Sequence, residues 1–250
     1  LPRVEVAARP GVTDALVSHG ERISSQVMTR LLRQHGIDSA HVDARDVLVT
    51  DNRFTGAAPL FEPTNERLRA LVEPLVEGGR VVVMGGFIAR TVDGRPSTLG
   101  RGGSDFTASI VGAGIGAEEI QIWTDVDGIM TADPSVMPEA KPLRRLSFAE
   151  ASELAYFGAR VLHPSTVLPA VKRNIPVRVL NSLKPEVEGT LIVAQCPSSR
   201  STVKSIAYKE GITVIDIRST RMLMAHGFLA AIFEVFDRYQ TSVDVVSTSE

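Results

Sequence analysis

Ser97-Thr98-Leu99-Gly100-Arg101-Gly102-Gly103-Ser104-Asp105 is the stretch whose residue types are best suited to hold an anion. Glycines let the backbone approach a ligand closely, and a helix that starts here would aim free N–H groups at it. Arg101 adds a planar, bidentate donor for carboxylate or phosphate. Ser104 is expected to cap the helix, with Asp105 in its first turn. The stretch is not a Walker A loop. It is not a dinucleotide fingerprint either, because Asp105 occupies the slot of the third glycine.

Three further stretches carry chemistry. Trp123-Thr124-Asp125-Val126-Asp127-Gly128-Ile129, followed by Asp133-Pro134, puts acids behind an apolar run. Open α/β sheets place ligands at such strand ends, where Asp125 and Asp127 can hold Mg²⁺ through water or contact a ribose. In Ser18-His19-Gly20-Glu21, a glycine beside Glu21 sits inside a helical pattern. It costs about 1 kcal/mol against alanine, which is easier to accept where something approaches the backbone. Phe157-Gly158-Ala159-Arg160-Val161-Leu162-His163-Pro164 reads as a helix-to-helix turn whose Arg160 can reach a phosphate.

Alternating strands and helices must position these residues. Thr13 to His35 reads as a helix, with Leu16, Ile23, Val27 and Leu31 as its apolar stripe. His41 to Val49 reads as a short strand. Thr64 to Glu77 reads as a helix capped by Thr64, which Pro74 should kink or end early. Val81 to Met84 and Glu119 to Thr124 are buried parallel strands, and Asp93-Gly94 is a hairpin turn. Ser147 and Glu150 form a capping box for a helix to Phe157, and Pro164 opens another to Arg173. Pro176 to Leu180 and Thr190 to Val193 are strands. The pattern is α/β with a mainly parallel sheet. Gln195 to Thr202 reads as a linker, with a boundary near residue 200. Beyond it, Ile212 to Ile217, His226 to Tyr239 and Ser242 to Ser247 form a β-α-β piece too small for a domain.

The 250 residues carry a net charge of −2, 44% apolar and 22% charged residues. This is the composition of a globular chain and excludes a disordered, collagen-like or coiled-coil structure. The charge argues against a nucleic-acid partner. A compact chain of this length is expected to expose ~10,800 Å². A single cysteine, Cys196, excludes an intrachain disulfide and fits a reducing cytoplasm. The histidines at 19, 35, 41, 163 and 226 are not spaced as metal ligands. No apolar run reaches the roughly 20 residues of a membrane span, and no signal peptide opens the chain. The chain starts Leu1-Pro2 and stops at Glu250 just after a strand-like run, so both ends are read as cut from a longer protein.

Taken together, VSHGE (17–21), GGFIA (85–89), STLGRGGSD (97–105), WTDVDGI (123–129), TADP (131–134), FAEASELA (148–155), FGARVLHP (157–164) and GFLAAIF (227–233) resemble the aspartate kinases of the amino-acid kinase family, in order and register. The lysine-sensitive type is the one most closely resembled. The resemblance implies a three-layer αβα sandwich of the amino-acid kinase type over 1–200, with a truncated ACT regulatory piece over 201–250. It implies phosphorylation of the L-aspartate side-chain carboxylate by ATP and Mg²⁺, the entry to lysine, threonine and methionine synthesis. Lysine is the implied effector, and a homodimer or higher homo-oligomer through ACT domains the implied assembly. By this pattern Arg101 pairs with the aspartate α-carboxylate and Glu21 lies near the α-amino group. Phe87, Thr98 and Ser104 complete the substrate region, with Asp105 an organising carboxylate. Thr124, Asp125, Met130, Ser135 and Arg160 fall on the nucleotide side, and Met222, Val243, Asp244, Ser249 and Glu250 at the effector site.

The chain departs from the pattern in places. The lysine-bearing K-F-G-G-T motif would lie upstream of Leu1, so these residues alone are expected to be inactive. Met130 replaces an aromatic, Ser135 an arginine and Arg160 a lysine, which points either to a re-tuned or to a weakened nucleotide site. Three other readings compete: a kinase of glutamate or acetylglutamate, a non-catalytic lysine sensor, and a Rossmann oxidoreductase. The tail argues against the first, and the lack of a glycine fingerprint argues against the last.

Overall fold

The computed structural model describes residues 11–156, 164–196, 203–208, 210–218, 227–239, 241, 243 and 245–248. Internal contacts divide the chain into Leu1–Lys209 and Glu210–Glu250. The first unit is mixed α/β. It opens with α1 (Val12–Gln34), β1 (Ser39–His41), α2 (Ala44–Val47) and β2 (Val49–Thr50). Then come α3 (Phe61–Leu71), α4 (Glu73–Glu77), β3 (Val81–Val83), β4 (Ile88–Thr91), β5 (Pro96–Thr98) and α5 (Gly103–Gly114). β6 (Ile120–Thr124), β7 (Arg145–Ser147), α6 (Phe148–Tyr156), a 3₁₀ turn (Pro164–Val167), α7 (Leu168–Arg173), β8 (Val177–Asn181) and β9 (Thr190–Val193) complete it.

β1 and β3 pair in parallel, from Ser39 opposite Val81 to His41 opposite Val83. Both contact α1, β3 also contacts α4, and Val82 packs against the cluster of Val42, Val47, Leu68 and Val72. β2, β4 and β5 form a second sheet. The third runs β6-β8-β9-β7, with β6 and β8 parallel and in register from Ile120–Val177 to Thr124–Asn181. Its core joins Ile120, Ile122, Leu146, Val177, Val179 and Ile192 to Phe148 and Ala170.

α1 lies where the periodicity puts a helix but presents the opposite face. Leu16, expected inside, is 73% exposed, and Ile23, Val27 and Leu31 are exposed as well. Asp14, Ser18, Ser25 and Thr29 are buried instead. The polar face can be buried because its hydroxyls find partners. Ser18 Oγ donates to the Ala15 carbonyl at 2.7 Å and Thr29 Oγ1 to that of Ser25 at 2.8 Å. Ser39 Oγ donates to the Thr29 carbonyl at 3.0 Å, and Ser25 Oγ lies 3.1 Å from His41 Nε2. Periodicity shows that a helix has two unlike faces; which one meets the sheet is a tertiary matter.

Other expectations need correction. The stretch from His41 to Val49 is not one strand, because Asp43 accepts the Arg45 N–H at 3.0 Å and caps α2 inside it. Thr64 does not cap a helix. It lies buried within α3, where its hydroxyl accepts the Val49 N–H at 3.1 Å. Chain direction breaks at Val72, with Pro74 in the first turn of α4. Ser104 does not cap α5. Gly102 does, at φ 70°, without any side-chain cap. By contrast, Ser147 and Glu150 do form the capping box: Ser147 N–H donates to Glu150 Oε2 at 2.8 Å and Glu150 N–H to Ser147 Oγ at 3.2 Å.

In the second unit α8 (Phe228–Arg238) is the one regular element among the described residues. The flanking runs expected as strands are not assigned to a ladder among them, and a strand exists only through its ladder partner. Leu16, Ile23, Val27 and Leu31 on the outward face of α1 are exposed, as are Ile212, Val214, Ile215 and Ile217 in the second unit.

Candidate active site

Gly85-Gly86-Phe87 joins β3 to β4, and backbone packing around these residues builds the first half of the site. A side chain at Gly85 would meet the Glu21 carbonyl at 3.1 Å and its Cβ at 3.3 Å. One at Gly86 would meet Ser104 Cα, Cβ and Oγ at 3.0 Å each. A Cβ at either position would press on α1 or the start of α5, so glycine lets both close on this turn. Phe87 has φ 69°, and the Ile88 N–H reaches back to the Gly86 carbonyl at 2.8 Å. This is a three-residue turn of the strained kind. It is held from both sides: Phe87 N–H donates to Thr107 Oγ1 at 3.0 Å, and its carbonyl accepts the Leu99 N–H at 2.9 Å.

Glu21, Phe87 and Ser104 are thus brought together. Arg101 is exposed on the approach to α5 and makes no ion pair among the described residues. Asp105 is half-buried in the first turn of α5, and that burial pushes its carboxyl above the usual range. The first N–H groups of α5 have no side-chain cap, which leaves the dipole end of this twelve-residue helix available to an anion. Thr98 is buried behind the loop rather than on it.

The second half lies at the carboxyl ends of the parallel strands β6 and β8. A cavity of about 520 Å³ is lined there by Asp125, Asp127, Met130, Leu183 and Lys184, with Ser205 to Tyr208 as one wall. That wall is fixed by Ile206 N–H donating to the Thr131 carbonyl at 2.9 Å and Ser205 Oγ to that of Met130 at 2.9 Å. Asp127 accepts from Asn181 Nδ2 at 2.5 Å and pairs with Lys184 at 3.1 Å; the hydrogen bond from Asn181, then Lys184, holds its carboxyl low. Asp125 accepts the Thr124 hydroxyl at 3.2 Å and is exposed. Ser135 is not among the lining residues. Its N–H and hydroxyl donate to Asp133 at 2.8 and 2.6 Å. No group of three or more histidine, cysteine or acidic side chains suited to a metal occurs among the described residues.

Arg160, Met222, Asp244, Ser249 and Glu250 lie outside the described residues, and Val243 is half-buried in the second unit. Sequence reasoning missed Asp14 and Thr107, which brace the first half. An acid in a first helical turn and a threonine within a helix carry no special pattern. It also missed Asn181, Lys184 and Ser205, which reach the cavity only through the fold.

The model of the amino acid kinase family matches residues 2–181. Lysine-sensitive aspartokinase 3 of Escherichia coli is 40% identical over 98% of the chain and 54% of its own length. Chloroplastic aspartokinase 1 of Arabidopsis thaliana is 41% identical over 95% of the chain and 42% of its own length. The crystal structure of E. coli aspartokinase III with aspartate and ADP superposes with a TM-score of 0.81 at 37% identity, over 98% of this chain and 54% of that one. The chain therefore spans about half the length of the curated relatives it matches.

Proposed function

The chain belongs to the amino acid kinase family, and on that premise we propose that the protein transfers the γ-phosphoryl group of ATP to the side-chain carboxylate of L-aspartate. The observation that carries the reading is the convergence of Glu21, Phe87 and Ser104 on Gly85-Gly86 at the uncapped start of α5, with Arg101 on its approach. The aspartokinase names of the relatives, and the aspartate and ADP of the solved E. coli enzyme, support the choice of substrates.

Phosphoryl transfer needs positioning and charge neutralisation more than a strong base. Arg101 grips the α-carboxylate in a planar, bidentate manner, and Glu21 receives the α-amino group. The N–H groups at the start of α5 face negative charge on the acceptor side. Asp105 organises this region as a carboxylate. The cavity at the ends of β6 and β8 takes the nucleoside, with Asp125 and Met130 in its lining and Thr124 hydrogen-bonded to Asp125 beside it. Ser135 and Arg160 are carried to the nucleotide side by likeness to the family, Ser135 standing outside the cavity lining. A Mg²⁺ bound with the nucleotide would supply charge neutralisation on the phosphates. Asp125 is the carboxylate on that side with room for it, because Asp127 is engaged by Asn181 and Lys184.

Residues 1–200 serve as the catalytic domain and 201–250 as the first part of an ACT regulatory domain. Met222, Val243, Asp244, Ser249 and Glu250 contribute to a lysine site, and the protein acts as a cytoplasmic homodimer or higher homo-oligomer. No described helix is long and apolar enough to cross a membrane. The test is ATP-dependent formation of aspartyl hydroxamate by the full-length protein, with and without lysine. Product that forms with aspartate but not with glutamate, and falls when lysine is added, is expected. No product, or a preference for another acid, would sink the reading.

A further inference from the structure

We propose that Asp14 is a positioning residue that sets the distance between Arg101 and Glu21, the two side chains given charged groups of the amino-acid substrate above; the inference rests on that reading. Asp14 is wholly buried in the first turn of α1. Its Oδ2 accepts the Thr98 N–H at 2.8 Å and the Thr55 N–H at 2.9 Å, and its Oδ1 lies 3.0 Å from the same Thr55 nitrogen. It makes no ion pair among the described residues. An acid in a first turn ordinarily serves the helix dipole from the surface. Asp14 does something else: it points away from its own helix and takes up two N–H groups from distant segments. A buried carboxylate is tolerated only where its oxygens are satisfied in this way.

Two lines of structure leave this carboxylate. Along β5, the fixed Thr98 is three residues before Arg101, and the Thr98 carbonyl also accepts the Ala57 N–H at 2.8 Å. Along α1, Glu21 is seven residues on, two turns and about 10 Å away on the same face. Ser18 lies buried between them, and Glu21 closes on Gly85. Asp14 thus pins α1 to the loop that carries Arg101. Without it the helix and the loop are free to shift relative to one another, and a misplacement of order 1 Å is costly at such a site.

The test is steady-state kinetics of the full-length protein carrying Asp14→Ala or Asp14→Asn, with folding checked by circular dichroism. Asp14→Ala is expected to raise the KM for aspartate by about tenfold or more and to leave the KM for ATP within about twofold. Asp14→Asn keeps one acceptor oxygen for the two N–H groups and should fall between the alanine variant and wild type. If the alanine variant does not fold, the asparagine variant decides alone, with an expected rise of about threefold for aspartate. A wild-type KM for aspartate in a folded variant, or equal rises for both substrates, overturns the inference. A wild-type protein without aspartyl hydroxamate formation overturns the functional reading first and this inference with it.

Discussion

The two halves of the site are built by different means. At the half proposed for the amino acid the backbone does the positioning. Gly85 and Gly86 admit α1 and α5 to van der Waals range, Phe87 is held at a positive φ, and a buried carboxylate ties two loops together. At the half proposed for the nucleotide, side chains define a roomier cavity, with Asp127, Asn181 and Lys184 on one side and the 205–208 segment on another. The difference implies unequal tolerance. Close-packed backbone yields to a methyl group only at a cost, whereas a cavity rim can exchange side chains of similar size.

The largest effects should therefore come from the amino-acid end. Asp105→Asn is expected to lower kcat by about a hundredfold or more, as loss of a charge-organising group does. The same change should raise Tm at pH 7. Burial raises the carboxyl in the folded state, so this residue costs stability as pH climbs from the ordinary aspartate value through the raised one. The neutral amide escapes that cost, so the difference in Tm should vanish below the ordinary value. Thermal melts across pH that show no gain at pH 7 would contradict the burial argument.

Next comes Arg101→Ala, for which the aspartate KM should rise about 10- to 100-fold while the ATP KM changes little. Unchanged aspartate kinetics would remove Arg101 from the site. Gly86→Ala should follow, costing about 1–3 kcal/mol in chemical denaturation, because Ser104 backbone and side chain stand in the way. A variant as stable as wild type would show that this junction is looser than its distances imply. The smallest change is expected at the other end. Met130→Tyr adds a ring to the cavity wall and should tighten ATP binding by about threefold in calorimetry. A loss of affinity would mean that the cavity is matched to methionine, and that the two halves are equally exacting.

Much of the fold was legible along the chain. Capping by Ser147 and Glu150, the Asp93-Gly94 turn and the apolar runs of β6, β8 and β9 stand where local rules put them. These are short-range interactions, settled within a few residues. The glycine stretch was legible for the same reason, since its conformational permissiveness is a property of residue type. α1 shows where such reading ends. Its helical period was visible, but the hydroxyl face was chosen by partners on β1 and at its ends, such as Ser39 and His41.

The sequence by itself thus determined that this is an α/β chain with a glycine-rich loop at a helix start, because glycine, caps and apolar periodicity act locally. Tertiary structure alone decided what stands behind that loop. Asp14 lies 84 residues before Thr98, and Lys184 lies 57 residues after Asp127. Such pairs are fixed only when burial removes water and each N–H or carboxylate must find its partner within the fold.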